Sequence, residues 1–408
     1  MALYDMVVRG GRVLDPAQDL DTVCDVAITG RRIVAIGQNL AAGGTRDGVI
    51  DATGLLVTPG MIDMHTHVFW GVPPLGIEPD PHCLARGVTT AVDAGSSGAA
   101  TFPAFRRYVI DVSATRIVAM LHISSIGMAR DDGDPDPVGE LEDIRWARVD
   151  RAVAIAREHA DIITGIKVRL EDKMVGKDPE NCREALRRTQ QAAEAIGKPA
   201  MVHVGGTTIP IDEILGAINT GDTVTHCFHG RSEGVLDERG KVRTSVRRAV
   251  ERGVNFDVGH GQGSCNYGVA RAALEQDLLP GTISSDIHAW NIAGPVYDLA
   301  TTASKFLHLG LSLSDVIRRV THNPARAIGM TERIGSLAPG SDADLSLLRL
   351  AEGEWPLEDS FGTVEIASQR LEPVSVIRAG RLYPCTPAVY KPHPQPHHHH
   401  HPHLHLHA

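Results

Sequence analysis

Nowhere in these 408 residues does a basic stretch exceed two neighbouring Lys or Arg residues, and the formal net charge is −10. Binding to nucleic acid rests on clustered cations that neutralise phosphates, so that class of partner is excluded from the reading. No apolar run reaches the length of a membrane span, and the chain opens into a strand pattern without a charged, then apolar leader; no membrane association is expected. Six cysteines (Cys24, Cys83, Cys182, Cys227, Cys265 and Cys385) are scattered without a disulfide framework, which points to a reducing, cytoplasmic setting. Cys227 should face core, and Cys265 falls in a loop near the functional end. No internal repeat is visible beyond an alternation of strand and helix patterns.

What is present is a long globular chain with 42% hydrophobic residues and a histidine pair at an informative place. His65-Thr66-His67 ends an apolar run, and period-2 alternation puts both imidazoles on one strand face, where they could reach one metal ion. Taken alone, the pair fits hydrogen-bonded structure as well as ligation. Further strand-like runs follow: Val88 to Gly95, Arg116 to Ser124, Asp161 to Leu170 with Lys167, Lys198 to Gly205 with His203, Asp222 to Phe228 with His226, Val254 to Gly259, and Thr282 to His288 with Asp286. Helical stretches are expected at Glu140 to Ala160, at Thr244 to Arg252 and, most clearly, at Asp178 to Ile196, where Asp178 caps, Pro179 opens and Gly197 closes the helix. Eight strands alternating with helices over about 270 residues predict a (β/α)8 TIM barrel, an α/β fold that carries its chemistry at the C-terminal strand ends. The candidate ligands fall at or near those ends.

In this order, His65, His67, Lys167, His203, His226 and Asp286 resemble the metal ligands of the amidohydrolase superfamily, in its binuclear subtype with a carboxylated lysine. The resemblance implies two divalent ions, expected to be zinc, with His65, His67 and Asp286 on the more buried one and His203 and His226 on the other. Such ions, roughly 3.5–4 Å apart, can share a hydroxide and clamp a carbonyl. An ammonium at Lys167 would repel both; carbon dioxide converts it to a carbamate with one oxygen for each. Neutralising the amine first costs about 4–5 kcal/mol at pH 7, which tight metal binding can offset. An ordinary salt-bridged lysine is the alternative for Lys167. Asp286 is implied as both ligand and proton shuttle; His288, two residues on and in phase with it, reads as a substrate contact or proton relay, with a supporting hydrogen-bond partner as the alternative.

The flanks fit the same family. Residues 1–57 and 338–386 are expected to pair into a small β-sandwich beside a barrel at 58–337, leaving 387–408 as a disordered tail in which nine of the sixteen residues from His393 are His. The strand-8 text Ser284 to Asn291 and the glycine-rich loop Gly259 to Tyr267 resemble the deacetylase branch that is similar to dihydroorotases. That resemblance implies hydrolysis of an ester or amide, removing an acetyl group from a small carboxylic acid. Arg169, Arg231, His260, Gln262, Ser264 and Asn291 are the expected substrate contacts. Ring opening of a cyclic amide and a metal-free binding scaffold are the alternatives, and the complete ligand set speaks against the scaffold. A small-molecule substrate and a homo-oligomer are expected.

Overall fold

The computed structural model describes residues 2–392; the His-rich tail from His393 onward lies outside the described residues. Five strands open the chain: β1 (Met6–Asp15), β2 (Leu20–Thr29), β3 (Arg32–Gly37), β4 (Val49–Asp51) and β5 (Leu56–Pro59). Seven more follow, separated by helices: β6 (Met61–Thr66), β7 (Val88–Ala94), β8 (Arg116–His122), β9 (Ile163–Arg169), β10 (Ala200–His203), β11 (Thr223–Thr225) and β12 (Asn255–Asp257). The chain returns through β13 (Leu345–Glu358), β14 (Val364–Arg378) and β15 (Arg381–Pro384).

Strands β6 to β12 form a parallel sheet in sequential order. Every residue of β7 and β9 is buried, as expected where both faces of a parallel strand are covered. The eighth run does not form a regular strand. It touches its neighbours through isolated parallel bridges, Asp257 to Thr282 and Thr66 to Ile287, and through bonds such as Asp286 N to His65 O at 2.8 Å and His260 N to Ser284 O at 3.1 Å. These contacts close the ring of strands, while Asp286 itself departs from strand geometry with φ +53°.

Inside the ring, Ile62, Met64, Val92, Val118, Met120 and Met201 pack with Ala325 and Ile328 of the last barrel helix region. This apolar plug occupies the lower half, and the candidate ligands lie above it at the C-terminal mouth. The helix Pro179–Ile196 begins and ends as its sequence predicts, with Asp178 accepting from Glu180 N and Gly197 in the left-handed region. The stretch from Glu140 differs: its helix spans only Val149–Glu158. Glu140 instead turns inward as a buried carboxylate bonded to His122 and Arg169.

Both chain ends contribute to a second sheet of eight strands, ordered β15-β14-β13-β5-β1-β2-β3 with β4 alongside β1. Its hydrogen bonding runs as one path, joined where β13 pairs antiparallel with β5. Order continues past residue 386: Tyr390 packs against Tyr297 and lies under Arg370, whose Nη1 donates to Ala388 O at 2.9 Å. An aromatic ring packed against a cation holds this part of the expected tail.

The two sheets are tied at the bottom of the barrel. Arg116, at the start of β8, donates to Asp342 at 2.6 Å and to Asp344, and all three side chains are nearly buried. Without Arg116, Asp342 keeps Arg32 and Arg333 and Asp344 keeps Arg378, so the loss is smaller than the about 3–5 kcal/mol of a fully stranded buried charge. Arg116→Ala is expected to lower the thermal unfolding midpoint; an unchanged midpoint would show that the pair contributes nothing.

Candidate metal centre

His65 is the last residue but one of β6 and His67 follows the strand, and both imidazoles reach the same carboxylate oxygen, Asp286 Oδ1, at 3.1 and 2.9 Å. His226 Nε2 lies 4.0 Å from Asp286 Oδ2 and 3.0 Å from His203 Nδ1. Lys167, fully buried on β9, donates to Ala94 O at 2.9 Å. All six expected ligands line one cleft of about 310 Å³ at the barrel mouth. Donor atoms of His65, His226 and Asp286 lie within 4.8 Å of one another.

The outer hydrogen bonds of each ring fix which nitrogen carries the proton. His226 Nδ1 bonds Gly259 O at 2.6 Å, and a carbonyl can only accept, so Nε2 keeps its lone pair. His203 Nε2 bonds the Glu171 carboxylate at 3.2 Å, so His203 Nδ1 keeps its own. The Thr225 hydroxyl donates to Asp257 and therefore accepts from His65 Nδ1 at 2.9 Å. Ser96 likewise donates to Asp93 and accepts from His67 Nδ1 at 2.9 Å.

Burial keeps three of these rings neutral: it lowers His65 to about 3 and pushes His203 and His226 down as well. The Asp286 carboxyl stands well below its usual range although burial opposes its ionisation. Two pairs of lone pairs thus face each other at about 3 Å, His65 with Asp286 and His203 with His226, and His67 Nε2 stands 2.9 Å from the same Asp286 oxygen. Such pairs repel in a low-dielectric interior unless a cation is shared between them. The donor set of neutral imidazoles and a carboxylate fits divalent ions, and the outer partners are those that orient metal-binding histidines.

His226 and Asp286 adopt φ of +69° and +53°, a conformation that costs a non-glycine residue about 1–3 kcal/mol and collects at functional sites. The glycines opposite make room. At Gly261, with φ +58°, a Cβ would stand 2.4 Å from Asp286 Oδ2.

Lys167 is lowered to about 8, mainly by burial and against the pull of Asp286. His288 lines the same cleft with its ring 6.3 Å from that of His67, and burial lowers it to about 4. Arg169, Arg231, Gln262 and Ser264 also line the cleft. Arg169 donates through Nε to Glu140 at 2.6 Å, and Arg231 through Nη1 to Glu171 at 2.8 Å. The other guanidinium nitrogens are outside those two bonds.

Two expected contacts lie elsewhere. His260 is buried behind the cleft wall, with Nε2 bonded to Lys305 at 2.8 Å. Asn291 is buried as a brace, donating to Asp286 O at 2.8 Å and accepting from His288 N at 3.0 Å. Cys227 and Cys265 are both buried.

Sequence reasoning missed Glu171, Thr225, Asp257, Asp93 and Ser96, which orient the ligands, and Trp290, Arg130 and Lys173 at the rim. Glu171 was within reach, since it continues the Lys167–Arg169 alternation. If the outer bonds set ligand geometry, Thr225→Val should weaken divalent-ion binding about 10- to 100-fold. Titrating the metal-stripped protein, truncated before His393, measures this; unchanged affinity would contradict the assignment.

Comparison with known proteins agrees with this geometry. Residues 56–382 match the amidohydrolase family. A deacetylase of Brucella anthropi is 37% identical over 341 residues, covering 84% of this chain and 83% of the relative. Among solved structures, an adenine deaminase superposes with a TM-score of 0.85 at 31% identity, covering 93% of this chain and all of its own. A dihydroorotase gives 0.84 at 32% identity, covering 95% and 99%. The barrel, the inward-facing imidazoles around Asp286 and the match along most of the sequence lead to one conclusion: the chain belongs to the amidohydrolase family.

Proposed function

We propose that this enzyme is a binuclear, metal-dependent hydrolase that removes an acetyl group from the ester or amide of a small carboxylic acid. The opposed lone pairs around Asp286 are the observation that carries the metal part. His65, His67 and Asp286 would hold one ion, and His203 and His226 the other, with zinc suited to this nitrogen and oxygen set. Bound ions of this kind supply Lewis acidity toward a carbonyl and lower the pKa of water.

The chain's own groups account for the remaining chemistry. Asp286, held ionised, takes a proton at its carboxylate as water adds to the acyl carbon, and returns it to the departing oxygen or nitrogen. His288, in the same cleft, contacts the substrate or relays that proton. The terminal nitrogens of Arg169 and Arg231, together with Gln262 and Ser264, orient the substrate carboxylate. His260 and Asn291 act through the groups they brace. The deacetylase relative spans most of the chain and supports deacetylation; the dihydroorotase structure supports cyclic-amide hydrolysis as the second reading.

Lys167 is assigned as a carbamate bridge, because its buried Nζ sits among the ligands with a single carbonyl partner. We also assign residues 1–57 and 338–386 to one small β domain, read as a sandwich, beside a barrel at 58–337. A separate apolar core of Val8, Val26, Ile33, Leu345, Leu347 and Ile377 supports that division. Six free cysteines support a cytoplasmic setting, and a homo-oligomer belongs to the same reading.

A panel of N-acetyl, O-acetyl and cyclic-amide compounds tests the function. Turnover should be greatest for acetylated carboxylic acids and fall when the carboxylate is esterified. Equal turnover of charged and neutral analogues would rule out the anion site, and activity confined to cyclic amides would reverse the order of the two readings. Lys167→Ala should lose both metal and activity, with short carboxylic acids restoring part of each by occupying the bridge. An unmodified ammonium at Lys167 in the metal-loaded enzyme would refute the carbamate.

A further inference from the structure

The loop Gly261 to Cys265 offers Gln262 and Ser264 to the cleft, yet its base is closed by a residue from the other end of the chain. The turn between β13 and β14 reaches over the barrel mouth and inserts Ser360. The Ser360 hydroxyl donates to Gly261 O at 2.9 Å, with His260 O at 3.1 Å as a second acceptor, and accepts from Cys265 N at 3.1 Å. Ser360 N donates to Cys265 O at 2.9 Å. One side chain therefore joins both ends of the loop, using its single donor and an acceptor lone pair.

The turn is itself held rigidly. Asp359 is buried; its Oδ1 accepts from Phe361 N and Thr363 N at 2.8 and 2.9 Å, and its Oδ2 accepts from Tyr267 N at 3.0 Å. Lys305, fully buried on the helix Leu299–His308, donates to Glu358 O at 2.6 Å and bonds His260 Nε2 at 2.8 Å. The turn and the cleft loop are thus fixed to each other from two sides. Gly261 N also bonds Ser285 O at 3.0 Å, which ties the loop base to the segment carrying Asp286.

We propose that Ser360 is a positioning residue for substrate binding: its hydroxyl staples the Gly261–Cys265 loop and so sets where Gln262 and Ser264 meet the substrate. This rests on the reading of the cleft as a hydrolase site. Because the staple acts on the cleft wall and makes no bond to a metal ligand, its loss should act on KM and spare the metal centre. Losing these hydrogen bonds is worth about a three- to tenfold effect.

Ser360→Ala and Ser360→Thr, both truncated before His393, provide the test on the best acetylated substrate of the panel. The alanine variant should raise KM about three- to tenfold, with kcat within about twofold and metal content and unfolding midpoint unchanged. Threonine, which keeps the hydroxyl, should recover most of the loss. Unchanged KM in the alanine variant, or a fall in kcat with KM preserved, would overturn the proposal. Should the alanine variant fail to fold, Ser360→Cys, an isostere with weaker hydrogen bonds, should show the same pattern at smaller amplitude, and a wild-type KM in it would count against the staple.

Amide exchange separates this proposal from the functional reading. In the alanine variant, exchange across 261–265 should quicken about three- to tenfold while β7 and β9 stay protected, whether or not any panel compound is turned over. Unchanged exchange there would reject the staple; an inactive wild type with faster exchange in the variant would reject only the proposed reaction.

Discussion

Acceptor atoms that face acceptor atoms set the terms for the rest of this molecule. Burial strips protons from His65, His203 and His226, and fixed outer partners leave inward-facing lone pairs around an ionised Asp286. A proton added to an inward nitrogen would answer these acceptors only by charging a buried ring, which burial opposes at His65, His203 and His226, and no redistribution of the protons already present satisfies them. A divalent cation does, and the strained backbone at His226 and Asp286 is the conformational cost of aiming both side chains at it.

The fold serves that constraint from both ends of the barrel. An apolar plug of Met64, Val92, Met120 and Met201 closes the lower half, so the polar layer lies above a largely apolar floor where its electrostatics are strong. Arg116 ties the floor to the sheet built from both chain ends, and the β13–β14 turn returns over the mouth to hold the cleft loop. The chain-end sheet thereby touches the barrel at its base and at its rim. A change in that sheet can reach the cleft wall without passing through any of the six candidate ligands.

Much of this was legible because strand periodicity and metal chemistry each restrict which residue types can occupy a position. His65 and His67 two residues apart, followed by Lys167, His203, His226 and Asp286 in strand order, predicted one cleft, and the structure brings all six together. The helix Pro179–Ile196 was equally readable from its caps. What failed was local pattern where tertiary pairing decides. Glu140 read as helical, but a buried carboxylate goes where Arg169 can neutralise it and His122 can hydrogen-bond it. His260 read as a cleft contact from its glycine-rich loop, but Lys305 draws it inward. The eighth run read as a regular strand, whereas the left-handed turn at Asp286 interrupts its ladder. Ser360 carries no mark in the sequence at all, since its role depends on a hairpin returning across the mouth.

Elemental analysis of the protein truncated before His393 tests the central claim most directly, because removing the tail leaves the barrel as the site of any stoichiometric metal. Two divalent ions per chain are predicted, lost on chelation together with hydrolytic activity and restored together on adding metal back. A tail-less protein that holds no stoichiometric metal and keeps full activity would contradict the account.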